Sequence, residues 1–307
     1  MAKFTNLPNG PGQKSGSGLP WRLILLTVLL GLALLSSPGW SAKEAKPQAK
    51  AAAKAAKAAP EAKKILQQAC DFLKAAKKFS FKAEVTDDRV YSQGKKLQFA
   101  MDLAVFVSRP DKLQVNAAGD LENKEFFYDG KTITLFDKPR KVYATMKAPG
   151  TIAAALRQAH KKYGLRVALA DLTGGDAYAL MTKGVKHALY VGEGLVRGKK
   201  CHHLAFDKKN IQFQIWITPG AKPLFRKVLI TQKEFPGSPQ WSAYLYDWNF
   251  SPKFSSNLFA FKPPAGAAKI RFISLKEAAA ARMKEMKKMK KEEKKMKQEK
   301  KKKGDKS

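Results

Sequence analysis

The sequence predicts an α+β fold, with one large antiparallel sheet, a helix ahead of it and a helical insertion in its middle. Three observations carry that prediction. Apolar residues recur at helical spacing over residues 65–76, and a period of two takes over from residue 79. The alternation breaks once, over residues 151–181, and resumes as far as residue 250. Strands following one another across turn-length gaps pair as an antiparallel meander.

Ordered structure is expected from Glu61, after Pro60. Ile65, Leu66, Ala69, Phe72, Leu73 and Ala76 share a face, with Lys63, Lys64, Gln67, Gln68, Asp71 and Lys74 opposite. That is an amphipathic helix of about four turns with one side for a core. Phe79, Phe81, Ala83 and Val85 then alternate with Ser80, Lys82, Glu84 and Thr86. Leu97, Phe99, Met101, Leu103, Val105 and Val107 repeat the pattern after a hairpin signal at Gln93-Gly94-Lys95. Further strands are expected over 113–117, 125–128, 132–136 and 141–146, with Asp129-Gly130 as a tight turn. Thr151 is placed to cap a helix bearing Ile152, Ala155, Leu156 and Ala159. A second short helix is expected over 167–172, ended by Gly174-Gly175. Strands resume over 188–196, 200–206, 210–217, 225–232 and 243–250, with turns at Lys208-Lys209-Asn210 and Pro219-Gly220.

The flanks are of another kind. Residues 23–35 read LILLTVLLGLALL, preceded by Arg22 and followed by Ser36-Ser37-Pro38-Gly39. A basic approach, a short apolar run and small residues beyond it make a secretory signal peptide over residues 1–42, cleaved after Ser41 or Ala42. The run is shorter than the ~18 residues of a membrane span. Left uncleaved, it would anchor the chain in the inner membrane. The expected location is the periplasm. Residues 43–60, KEAKPQAKAAAKAAKAAP, have no large apolar side chain and are expected to form a disordered linker with transient helix. The domain is placed at 61–273. Residues 274–307 form a Lys-rich tail, disordered or partly helical.

Charge bears on partners. The chain carries +34; residues 1–42, 43–64 and 276–307 hold +3, +5 and +9 of it, which leaves +17 on residues 65–275. A domain this basic favours anionic surfaces or ligands. An exported chain has no access to cytoplasmic nucleic acid, so Phe126, Phe127 and Tyr128 beside Lys124, although they have the composition of a stacking platform, are not read as one.

Motifs of catalysis are absent from the sequence. It contains no G-x-S-x-G, no H-E-x-x-H and no phosphate-binding glycine loop. His202 and His203 fall on opposite faces of a strand and cannot share a metal there; His203 and Cys201 share a face but lack a third ligand. Asp87-Asp88, ahead of a hairpin, read as turn residues. Cys70 and Cys201 are read as two small buried residues, with a single disulfide as the alternative. The expectation is a non-catalytic protein with no metal and no cofactor.

FQIWITPGAKPLFRKVLIT, PQWSAYLYDWNFSP and LFAFKPPAGAAKIRF, within residues 213–272, resemble a bacterial family of predicted periplasmic proteins carried as a domain of unknown function. RPDKLQVNAAGD at 109–120 and EFFYDGKTITLFDKPRKVY at 125–143 agree. That family resembles a branch of the LolA/LolB-like superfamily of periplasmic lipoprotein carriers. The resemblance covers residues 65–272. It implies a half-open β-barrel around the N-terminal helix, closed by the inserted helices as a lid, with a concave face that takes acyl chains. Leu103, Val105, Phe213, Ile215 and Trp248 are the candidates to line such a cavity, and Ile152, Leu156, Val167 and Leu169 to form the lid. The alternative for each is ordinary core packing. The implied partners are a lipid or acylated ligand and an anionic membrane surface or envelope polymer, with the second as the basis of a tethering module whose core is filled. The Ala/Lys segment and the Lys-rich tail depart from the carrier pattern.

Overall fold

The computed structural model describes residues 45–304, so the apolar run at 23–35 lies outside the described residues. β1 (Lys78–Val90) turns through Ser92–Gly94 into β2 (Lys96–Ser108). Phe79, Phe81, Ala83 and Val85 sit opposite Val107, Val105, Leu103 and Met101, so one face of this hairpin is apolar along most of its length. β3 (Lys112–Gly119), β4 (Asn123–Tyr128), β5 (Thr132–Asp137) and β6 (Val142–Lys147) continue antiparallel. They extend the apolar face with Leu113, Val115, Phe126, Tyr128, Ile133 and Met146, all buried.

After the insertion, β7 (His187–Val196), β8 (Lys199–Asp207), β9 (Ile211–Ile217), β10 (Phe225–Gln232) and β11 (Gln240–Asn249) form a second meander. β11 returns to pair with β1, setting Leu245 on Ala83 and Ala243 on Val85. β12 (Ala268–Ile270) adds a short parallel strand beside β6. One twelve-stranded sheet results, ordered β12-β6-β5-β4-β3-β2-β1-β11-β10-β9-β8-β7, with β12 and β7 at its edges. A bulge interrupts β7 between Tyr190 and Gly192, where Gly192 takes φ 136°. A second bulge at Asp247, φ 51°, shifts the alternation of β11 by one, so Trp248 and Phe250 join the core alongside Leu245.

α1 (Ala45–Ala75) lies against β7, β8 and β9 and buries Leu66, Ala69 and Leu73. The sheet wraps around this helix without closing: an α+β half-open barrel. The guanidinium of Arg109 fastens the end of α1, donating to the carbonyls of Leu73 and Ala76 and, at 3.3 Å, of Leu172. Both cysteines are buried and free.

The Ala/Lys segment, expected as a disordered linker with transient helix, is helical from Ala45 as the first part of α1, through Pro60. Ala and Lys are strong helix formers, and extending a helix already nucleated by packing adds residues without a new nucleus. Asp87 and Asp88 lie within β1, not in a turn, because the ladder with β2 runs on to Val90 and Lys96. Residues 167–172 are not a helix. Leu169 takes φ 57°, and only a 3-10 turn, Ala170–Leu172, follows. The helix comes later, as α3 (Ala177–Thr182), where the Asp176 side chain accepts from the Ala179 N–H.

α2 (Ile152–Tyr163) starts where Thr151 Oγ1 accepts from the Ala154 N–H at 3.3 Å and stops at Gly164 in the left-handed region, φ 68°. The tail forms α4 (Leu275–Gly304). Its start is a capping box: Ser274 Oγ accepts from the Glu277 N–H at 3.2 Å, and the Glu277 carboxylate accepts from the Ser274 N–H at 2.8 Å. No helix among the described residues is long and apolar enough to cross a membrane.

Candidate functional site

The inner face of β1 to β5 meets the insertion at a cleft. Met101, Leu103, Val115, Ala117, Phe126 and Leu135 form its floor, with Trp241 of β11 beside them. Residues 165–168, the strap that follows α2, cover it with Leu165, Val167 and Ala168. The strap is irregular because Gly164 has ended the helix behind it and Leu169, in the left-handed region, turns the chain ahead of it.

Charge collects among these apolar groups. Asp87, Arg89, Glu122, Lys124 and Arg166 also line the cleft. Arg89 Nε lies 3.5 Å from the Asp87 carboxylate, and Lys124 Nζ lies 3.9 Å from that of Glu122. Burial raises the pKa of both carboxyls, and the neighbouring cations offset it only in part. The charged end of the cleft thus sets three basic groups beside two acids. Its cavity volume is about 60 Å³.

Of the candidate lining residues, Leu103 is on the floor. Val105 follows it along β2, fully buried beyond the cleft. Phe213 and Ile215 sit on β9 in the other half of the sheet, where Phe213 stacks on Phe206 at 4.9 Å. Trp248 stacks on Phe81 at 4.4 Å and donates its indole N–H to the Phe225 carbonyl. Of the lid candidates, Val167 covers the cleft, Ile152 is buried at the start of α2, and Leu156 and Leu169 pack against the core.

Sequence reasoning missed the charged lining and Trp241. A signal was present in β1, whose inward positions run Phe79, Phe81, Ala83, Val85, Asp87, Arg89. Charge at inward parity marks where the core gives way to an opening.

His202 and His203 are occupied elsewhere. His202 Nδ1 is 3.0 Å from the Tyr190 hydroxyl. His203 stacks on Trp216 at 4.2 Å, with Nε2 2.9 Å from Gln214 Oε1.

Known proteins resemble the chain in sequence pattern and in architecture. The sequence model of one family, described as predicted periplasmic protein (DUF2092), matches residues 62–273. No curated protein matches the chain. Among solved structures, an uncharacterized conserved protein from Thermus thermophilus is 10% identical, with TM-score 0.41 over 69% of this chain and 99% of that one. The lipoprotein LppX of Mycobacterium tuberculosis is 15% identical, with TM-score 0.40 over 63% and 98%. A LolA superfamily protein from Nitrosomonas europaea is 9% identical, with TM-score 0.33 over 65% and 97%.

Proposed function

Because the chain belongs to the family of predicted periplasmic proteins (DUF2092), we propose that it is an exported binding or carrier protein for a lipid or acylated amphiphile, acting without catalysis. The observation that carries this reading is the cleft: an apolar floor, an irregular cover, and three cationic side chains beside two acids at its charged end. Such a site takes a hydrocarbon tail on the floor and an anionic head beside Arg89, Lys124 and Arg166.

Ligand pockets run to ~300–1,000 Å³. A cavity of about 60 Å³ is far smaller, so a tail enters only when the strap swings out. The same figure favours a second reading, a tethering module with a filled core that holds anionic membrane or wall polymer through its basic surface.

One experiment separates the two. The protein is purified from the periplasm, weighed by native mass spectrometry, extracted for lipid, and titrated with a fluorescent fatty acid. The carrier reading expects a stoichiometric lipid and saturable uptake. It also expects Ala117→Trp, which fills the floor, to weaken uptake by about tenfold or more while the near-UV spectrum keeps its folded form. An apo mass with no uptake leaves the tethering module.

A further inference from the structure

α4 stands apart from the core that explains the rest of the chain. It carries fourteen basic and five acidic residues. Its large apolar side chains face solvent: Met283, Met286, Met289 and Met296 are 60%, 58%, 63% and 58% exposed. At 3.6 residues per turn these four fall within an arc of about 140°, which Arg282, Lys290, Glu293 and Lys297 share. Lys284, Lys287, Lys288 and Lys291 project from the opposite side. A helix with its exposed methionines gathered on one side, among cations, and a densely cationic opposite side matches the boundary of an anionic bilayer, where headgroups meet acyl chains and long basic side chains reach back to the phosphates. A merely soluble cationic helix has no need of the methionines.

The root of the helix adds a second observation. Leu275 packs on Gly164 so closely that a Cβ there would lie 3.0 Å from Leu275 Cδ2. Phe272 packs on Tyr163 with ring centres 5.2 Å apart. Arg271 pairs with Glu277 at 2.6 Å and stiffens the junction. Gly164 is the residue from which the strap over the cleft departs. The helix therefore springs from the hinge of the cleft cover.

We propose that α4 docks the protein on an anionic phospholipid bilayer, with its methionine side in the interface, and that its root holds the strap side of the cleft at that surface. Docking rests on α4 and not on the occupancy of the cleft, so either can fail without the other.

The test uses the exported protein and vesicles of phosphatidylglycerol with phosphatidylcholine, against phosphatidylcholine alone and against soluble polyglutamate. Cosedimentation is expected with the anionic vesicles only, and is released by 0.5 M salt through screening at a Debye length of a few ångströms. Met283→Gln, Met286→Gln and Met289→Gln together keep helix propensity while removing the apolar side, and are expected to weaken vesicle binding by about tenfold. Lys162→Cys, labelled with a fluorophore, is expected to be quenched by nitroxide headgroups on docking, because Cys70 and Cys201 are buried and stay unlabelled. Ala117→Trp is expected to bind vesicles as wild type does. Binding that ignores the methionines and is equalled by polyglutamate assigns the helix to an acidic polymer and overturns the proposal, as does absence of binding. Binding without quenching at residue 162 overturns the placement of the strap.

Discussion

Arg109 holds the last turn of α1 by its backbone, with Nη1 2.6 Å from the carbonyl oxygen of Leu73. The same nitrogen reaches Ala76 O at 2.7 Å, and the guanidinium lies over Phe79, 5.0 Å from the ring centre. The final carbonyls of a helix have no partner within it and form its negative end, so a cation there satisfies both needs. Burial lowers the Arg109 pKa to about 10, and its Nε finds no partner among the described residues. Arg109→Ala is therefore expected to lower the unfolding free energy by about 2–4 kcal/mol, read from the urea midpoint. Arg109→Lys should recover only part, since an ammonium cannot fork toward three carbonyls. A wild-type midpoint in the alanine variant would show that the clamp adds nothing.

Neighbouring carboxyls in β1 should respond to pH with opposite signs. Burial works against the charge of Asp88, but Gln98 at 3.0 Å, the Gln240 N–H at 3.1 Å and Lys96 at 3.2 Å outweigh it and hold its pKa below the ordinary value. A depressed acid stabilises fully above its unfolded pKa, ~3.9, and loses that contribution as pH falls through the folded value. Asp88→Asn should cost about 1–2 kcal/mol at neutral pH, shrinking below about pH 4. Asp87 is raised by burial, so its ionisation opposes folding at neutral pH and protonation relieves it. Asp87→Asn should be neutral or stabilising there. Denaturation of both variants at pH 7 and pH 3.5 decides, and a shared sign would refute the assignment.

Gly119 closes β3 against β2 with no room to spare. A Cβ there would meet Ala100 O at 2.3 Å and Met101 Cα at 2.4 Å, both backbone. Gly119→Ala must push the strands apart where Met101 lines the cleft, at about 1–3 kcal/mol. Thermal unfolding measures the loss, and an unchanged midpoint would mean that the rim yields freely.

The capping box of α4 acts locally. Ser274→Ala should loosen the first turn of the helix by about 1 kcal/mol and leave the sheet unaffected. Amide exchange is expected to quicken over residues 275–279 alone. Faster exchange in β6 or β12 would show that the cap supports the domain as well.

Many strands were legible because half-buried strands write their burial into a period of two, which β1, β2, β7, β9 and β11 obey over most of their length and β3, β4 and β10 do not. What alternation cannot encode is where along the inner face the barrel opens. That depends on β1 meeting β11 and on the strap crossing β2 to β5, both long-range. Leu103 and Ile215 have the same pattern in sequence, yet one borders the cleft and the other lies in the far half of the core. The three-residue β12 has no period to read. α4 was foreseen as no more than partly helical, although Ser274 and Glu277 spell a capping box. The strap misled because Val167 to Leu172 has helical composition, whereas Leu169 in the left-handed region leaves room for a single 3-10 turn.

The bulge in β7 has a bearing on how copies of the chain coexist. A sheet with two free margins offers each an unsatisfied row of amides to its neighbours, and exported chains fold in one another's company. At one margin the three residues of β12 give an incoming strand too short a template. At the other, the extra residue between Tyr190 and Gly192 breaks the spacing that a side-by-side zipper of β7 strands would need. Twelve strands thus end in two margins, one too short and one too irregular to serve as a regular template for the next copy.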